Sequence, residues 1–196
     1  MNTLMWKKMG SWMTYCCFVL FIFSCGSSSS VNNDSSKIAD LRRMVTKANY
    51  EITSNWAFPL MTQGLTSIAN AGLLMPGSNA SSIDLIGNPN YLRVIGDSVS
   101  VSLPYFGERQ MGGGYNNTGS GLSFDGIPDS YETQWDERKQ RYQIKFQVKQ
   151  RTETLQFNIL LFTNLKSDIK VNSTHRTSIG YNGVVAFIPD KEKKTK

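Results

Sequence analysis

From Tyr142 to Val148 the chain alternates: Tyr142, Ile144, Phe146 and Val148 are apolar, and Gln143, Lys145 and Gln147 between them are polar. A period of two sets one group on the buried face of a β-strand and the other in water. Leu155 to Phe162 answers it as the return arm and turns apolar at every position from Ile159 onward, the pattern of a central strand covered on both faces. Upstream, Leu92 to Ile95 and Val99 to Leu103 flank Gly96-Asp97, a pair suited to a tight turn, so a hairpin is expected there. Tyr50 to Phe58, Ile169 to Asn172, Thr177 to Tyr181 and Val184 to Ile188 also read as strands, with a Gly, Ser and Asn rich interruption at Gly72 to Asn79. Asn182-Gly183 is either a hairpin turn or a bulge bending one continuous strand. Before all of these, Ile38, Leu41, Met44, Val45 and Ala48 recur at steps of three and four, the spacing of one helical face, with Asp34, Ser35 or Ser36 able to cap it. Seven to nine short strands after one helix predict a mainly β domain, an antiparallel meander forming a sandwich or small barrel.

The first 36 residues follow another logic. Lys7 and Lys8 precede a run of mostly apolar residues from Trp12 to Phe23, then Ser24, Cys25 and Gly26. The run is too short for a spanning helix, which needs about 20 apolar residues, and matches a secretory signal ending at a lipid-acceptor cysteine. Cleavage before Cys25 and acylation of its sulfur are expected, and two or more acyl chains hold a protein at a membrane essentially permanently. The expected division is a signal over 1–24, a Ser-rich tether over 25–36, one β-rich domain over 37–190 and a basic tail over 191–196. Cys16 and Cys17 leave with the signal, so no disulfide forms within the remaining 172 residues. A chain of that length buries about 70% of its surface on folding and needs no bridge.

Formal charge is +6, falling to +4 without Lys7 and Lys8, and part of the rest sits on Lys191, Lys193, Lys194 and Lys196. The domain itself is nearly neutral. An exported, nearly neutral domain excludes nucleic acid as the expected partner. The expected partners are the membrane, through the anchor, and a glycan or protein of the cell envelope.

At Val99 to Gly107 the chain resembles a known family. Tyr91 to Gly96, Asp97 to Val99, Leu103-Pro104-Tyr105-Phe106-Gly107, Gly121 to Phe124, Val171 to Ser173, Arg176 and Ile179 to Gly183 together resemble the Bacteroidetes lipoproteins catalogued as domain of unknown function 4251. The resemblance covers about Tyr50 to Ile188, and Gly180 stands where it implies a serine. It favours the bulge at Asn182-Gly183, brings no activity or cofactor, and implies an outer-membrane lipoprotein. Because no acidic residue follows Cys25 before Asp34, it favours the periplasmic face over the cell surface. Asp97 to Val99 is similar to a short O-glycosylation motif of that phylum.

Candidate chemistry is sparse. Pro104 to Gly107 leads into a Gly, Tyr and Asn rich loop that would bind a ligand, Tyr105, Tyr115 or Tyr131 stacking on a sugar ring and Asn116, Asn117 and Gln110 donating hydrogen bonds. The competing reading makes Pro104 and Gly107 chain geometry and Tyr105 a seal on the core. Arg176 is expected to bond carbonyls or a carboxylate such as Asp168. Neither glycine cluster is a phosphate cradle, and His175, the one histidine, supports neither a zinc site nor a Ser-His-Asp group, so no cofactor or metal is expected. The Asp125 to Glu132 stretch reads as an acidic turn. Three functions remain: a non-enzymatic binding domain, a glycan hydrolase using a pair from Glu108, Asp125, Asp129 and Glu132, or a structural subunit of an envelope complex.

Overall fold

The computed structural model describes residues 35–111, 121–150 and 152–189. The signal, Cys25, most of the tether, the tail, and Tyr115, Asn116 and Asn117 lie outside the described residues. The domain opens with helix α1 (Ser35–Thr46), whose Leu41 and Met44 are buried as the three-four periodicity requires. Its outer arginines reach the sheet: Arg42 sits 5.2 Å from the Trp135 ring and Arg43 5.4 Å from that of Phe187.

Ten strands follow: β1 (Asn49–Pro59), β2 (Ile83–Asp84), β3 (Tyr91–Ile95), β4 (Ser98–Leu103), β5 (Leu122–Gly126), β6 (Ser130–Asp136), β7 (Arg141–Gln150), β8 (Glu153–Phe162), β9 (Lys166–Ser173) and β10 (Ile179–Phe187). They form one antiparallel sheet in the order β5-β4-β3-β1-β10-β9-β8-β7-β6, with β2 pairing β1 off the path. The expected mainly β, antiparallel architecture is what the chain adopts. Strand β1 is the hub, holding β3 through Asn49↔Ile95 and β10 through Tyr50↔Phe187.

The sheet is curled into a half-barrel. Its end strands, β5 and β6, are consecutive in the chain and joined by only three residues, 127–129. Four Cα steps of 3.8 Å reach about 15 Å at most, so the two ends of a nine-strand path must come together. Two contacts show how. The Tyr50 hydroxyl lies 2.9 Å from that of Tyr131, across the interior from β1 to β6, and the Gln150 side chain donates to the Ser123 carbonyl at 2.6 Å, tying β7 to β5. Gly126, at φ 146°, makes the bend where no Cβ would be comfortable.

Inward-facing residues of every strand but β6 form one core, including Ile52, Leu92, Val101, Ile144, Phe157, Ile159, Ile169 and Tyr181. Phe146 and Phe157 stack at 4.4 Å between ring centres. Each large apolar side chain so buried stabilises the fold by about 1.5–3 kcal/mol. Burial pushes the Tyr50 phenol well above its ordinary pKa, and the nearby Tyr131 hydroxyl pushes it further, so it stays neutral.

Three expectations meet the structure with different results. Asn182-Gly183 takes the continuous-strand reading that the resemblance favours, not the hairpin turn: β10 runs unbroken, and the extra residue of the bulge belongs to its partner β1, where pairing slips between Ser54 and Trp56. Gly183 lies under that bulge, where a Cβ would fall 2.8 Å from the Ser54 Cα. Second, helix α2 (Gln63–Asn70) stands where the sequence reads as β or loop; Thr62 caps it by accepting from the Leu65 N–H, and it buries no residue, so no core periodicity announces it. Third, the apolar end of β8 is not covered on both faces, since Leu160 and Phe162 remain half-buried on the outside.

Candidate functional site

The Leu103 to Gly107 block closes one end of the sheet. The Tyr105 hydroxyl lies 2.9 Å from both the carbonyl and the Oγ1 of Thr177, and 3.1 Å from the Glu108 carbonyl. Burial raises its pKa, a rise that the Thr177 contacts and the Arg176 charge only partly offset. Gly107 has no room for a side chain, because a Cβ would fall 2.6 Å from the Tyr105 Cζ. The Pro104 carbonyl accepts from the Tyr181 hydroxyl at 2.7 Å.

Arg176 ties this block to the sheet. Its Nη1 donates to the Gly121 carbonyl at 3.0 Å, its Nη2 to Glu153 Oε2 at 3.1 Å, and its Nε faces Glu153 Oε1 at 2.8 Å. Both side chains are 9% exposed, and the guanidinium lies 5.3 Å from the Tyr105 ring. Glu153 Oε1 also accepts from the Ser173 hydroxyl at 2.6 Å. Burial acts to raise the Glu153 pKa, but the Ser173 bond and the Arg176 bond and charge outweigh it, holding the carboxyl below its ordinary value. The partner of Arg176 is thus Glu153 rather than Asp168. Tyr105, Pro104, Gly107 and Arg176 are committed to each other and to backbone, and what this arrangement does chemically is clasp a loop.

Of the four carboxylates weighed for hydrolysis, three lie around the β5-β6 connection and the fourth in the loop after Tyr105. Asp129 accepts from the Lys149 N–H, Glu132 and Asp125 are exposed on β6 and β5, and Glu108 lies in the loop after Tyr105, near Gly64. Among the described residues no three His, Cys, Asp or Glu side chains gather as a metal site.

The outer face of the sheet is different. Register sets Glu132, Lys145, Asn158, Lys170, Gly180 and Phe58 side by side across β6, β7, β8, β9, β10 and β1. The adjoining row holds Gln143, Leu160, Asp168 and Asn182. Between these rows lies a recess of about 420 Å3, with Phe58 and Leu160 as its apolar walls and Asn158, Asp168, Lys170 and Asn182 on its rim. A second recess, of about 320 Å3, adjoins it through Asn158 and runs toward Glu132. Cross-strand amide pairs order this surface: Gln143 Nε2 donates to Asn158 Oδ1 and Gln156 Nε2 to Gln147 Oε1, both at 3.2 Å. No single segment carries a signal for this trough, because each strand contributes one or two residues.

The description Domain of unknown function (DUF4251) matches residues 32–185, most of the chain. The chain belongs to that family. A crystal structure of a DUF4251 family protein from Bacteroides eggerthii has a similar fold, with a TM-score of 0.52 at 11% identity over 79% of this chain and 89% of that one. No curated protein matches the chain. Within this DUF4251 domain, the blocks that carry the resemblance, Leu103 to Gly107, Gly121 and Arg176, form the clasp. Gly180, the departure from it, opens onto the outer-face recess.

Proposed function

We propose that this DUF4251 protein is a lipid-anchored cell-envelope protein that binds a glycan or protein partner without catalysis, through the outer face of β8, β9 and β10. The anchor rests on the Lys7 to Gly26 signal and Cys25. The binding reading is carried by one observation: Asn158, Asp168, Asn172, Gly180 and Asn182 sit in strand interiors on one face. Asn, Asp and Gly are the residues strands disfavour, and local rules are broken where function needs it. This moves the binding face from the Tyr105 loop, whose described polar groups serve the clasp.

Full-length protein retrieved from its native envelope, beside an Asn158→Ala/Asn182→Ala variant, tests it. Wild type should bring down a companion that the variant loses; equal recovery by both would remove the outer face from consideration.

A second reading, docking into a larger protein complex, draws on the segment between β1 and β3. Leu60, Met61, Ile68, Leu73, Met75 and Ile86 are all large, apolar and exposed there, and exposed apolar patches mark protein contacts. Replacing Leu73 and Ile86 by serine should abolish a protein companion under this reading and leave it unchanged under the first.

A further inference from the structure

Three of the glycines around the sheet are forced on the chain by sterics. A Cβ at Gly107 would meet Tyr105, one at Gly121 would fall 2.9 Å from the Leu103 carbonyl oxygen, and one at Gly183 would strike the β1 backbone. Gly180 differs. Its φ is not left-handed, and a Cβ there would meet Ile169 O and Phe58 Cβ at 3.7 Å and Phe58 O at 3.8 Å, all ordinary contacts. The fold has room for a Cβ at this position. A glycine inside a strand weakens it, and one without steric cause marks a surface that something else approaches closely. What Gly180 does is keep the recess between Phe58 and Lys170 open.

The lining specifies what fits. Phe58 is 38% exposed and gives a ring to stack on, and Leu160, half-buried on β8 three strands away, lines the far side of the same recess. Around them, Asn158, Asn182 and Asp168 set amide and carboxylate groups in the lining. Asn158 accepts from Gln143 through its Oδ1, so it is the Nδ2 end of the amide that a ligand would use. An apolar floor with a few ordered polar groups at its edge suits a molecule that has one C–H face and a girdle of hydroxyls. A sugar ring is that molecule. A protein partner would be met by a core of aromatic residues, methionine and arginine, with charge depleted, whereas amides with Lys170 and Asp168 stand here. The trough continues through Asn158 into the second recess, lined by Gln147, Gln156 and Asn172. It crosses the strands from β1 to β6, five spacings of about 4.8 Å, or roughly 24 Å. That is room for several linked rings.

We infer that the trough from Phe58 and Gly180 to Glu132 binds a neutral oligosaccharide, one ring stacked on Phe58 over the gap left by Gly180. The inference rests on the outer-face reading above and names its ligand class. Gly180 is the specificity-determining position, since any side chain there fills the subsite.

The test uses the full lipidated chain in detergent micelles, labelled with 15N and titrated separately with maltotetraose, cellotetraose, chitotetraose and the glycan fraction of the native envelope. At least one should shift the side-chain amide signals of Asn158 and Asn182. Gly180→Val should weaken that binding by roughly tenfold or more, the contact of one stacked ring, while its urea midpoint holds or rises because valine favours strands. Phe58→Ala, at a half-exposed position, should give a similar loss should Gly180→Val not fold. Absence of shifts with all four probes, or full binding by Gly180→Val and Phe58→Ala, overturns the inference. A protein companion lost from Asn158→Ala/Asn182→Ala, with no saccharide bound, overturns this ligand class and leaves the outer-face reading standing; if nothing binds that face, both fall.

Discussion

Replacing Arg176 by methionine removes a guanidinium that donates to the Gly121 carbonyl and to Glu153 Oε2 and ion-pairs with Glu153 Oε1, while keeping the aliphatic stem that packs in the clasp. The Glu153 carboxylate, 9% exposed, then keeps the Ser173 hydroxyl but loses its buried countercharge. An uncompensated buried charge costs about 3–5 kcal/mol. For a domain of this size each kcal/mol moves Tm by about 2–4 °C, so the melting temperature should fall by roughly 6–20 °C. The pH dependence separates this cause from lost packing. In the wild type the Glu153 pKa is held below its ordinary value of 4.5, so its contribution is complete above that pH and fades as pH falls through the lowered pKa. Without Arg176 the bond and charge that chiefly opposed burial beside the Ser173 bond are gone, and the carboxyl pKa rises, with Ser173 and Arg109 alone still lowering it. The deficit of the variant relative to the wild type therefore narrows as pH falls through the raised pKa. Glu153→Leu in the Arg176→Met background removes the stranded charge and should restore most of the loss. Urea unfolding followed by tryptophan fluorescence between pH 7 and pH 4 measures all four proteins: the wild type, Arg176→Met, Glu153→Leu and the double variant. Parallel pH curves for wild type and Arg176→Met, or a double variant that loses the sum of the two singles, would refute the reasoning.

Gly107→Ala should cost about 1–3 kcal/mol by overpacking against Tyr105, and Gly183→Ala more, because it meets the β1 backbone rather than the movable end of a side chain; urea midpoints in the reverse order would contradict this. Ser167 is 1% exposed and its Oγ has no partner among the described residues, so Ser167→Ala should be neutral or gain up to about 1 kcal/mol, and a loss of that size would reveal an unseen hydrogen bond. Cys25→Ala should abolish labelled palmitate incorporation and move the protein out of the membrane fraction; incorporation that persists in this variant would place the lipid elsewhere.

Local features of this fold were legible in the sequence and nonlocal ones were not. The alternation at Tyr142 to Val148, the three-four spacing from Ile38 and the turn at Gly96-Asp97 each lie within a few residues, and β7, α1 and the β3-β4 hairpin follow from them. Asn182-Gly183 reads two ways in the sequence because the bulge that demands Gly183 is more than a hundred residues away on β1. Asp168 is nearer Arg176 in the chain than Glu153, but pairing of β8 with β9 sets Glu153 beside the turn that carries Arg176, while Asp168 points to the outer face. Helix α2 has no buried face to advertise, and the outer trough is assembled one or two residues per strand by register alone.

Strand β1 has a peculiar history within the growing domain. It is among the first segments to emerge, yet one of its two flanks is completed only when β10 arrives, with Asn49 bonding the Ile188 carbonyl across 139 positions. Contacts of such separation carry the loop-closure entropy of nearly the whole domain and form late. Until then the hub presents a row of unmet amide and carbonyl groups, the feature that recruits stray strands. A chain built this way has reason to be shielded by a holding factor in transit, and truncation before β10 leaves not a smaller sheet but an adhesive one.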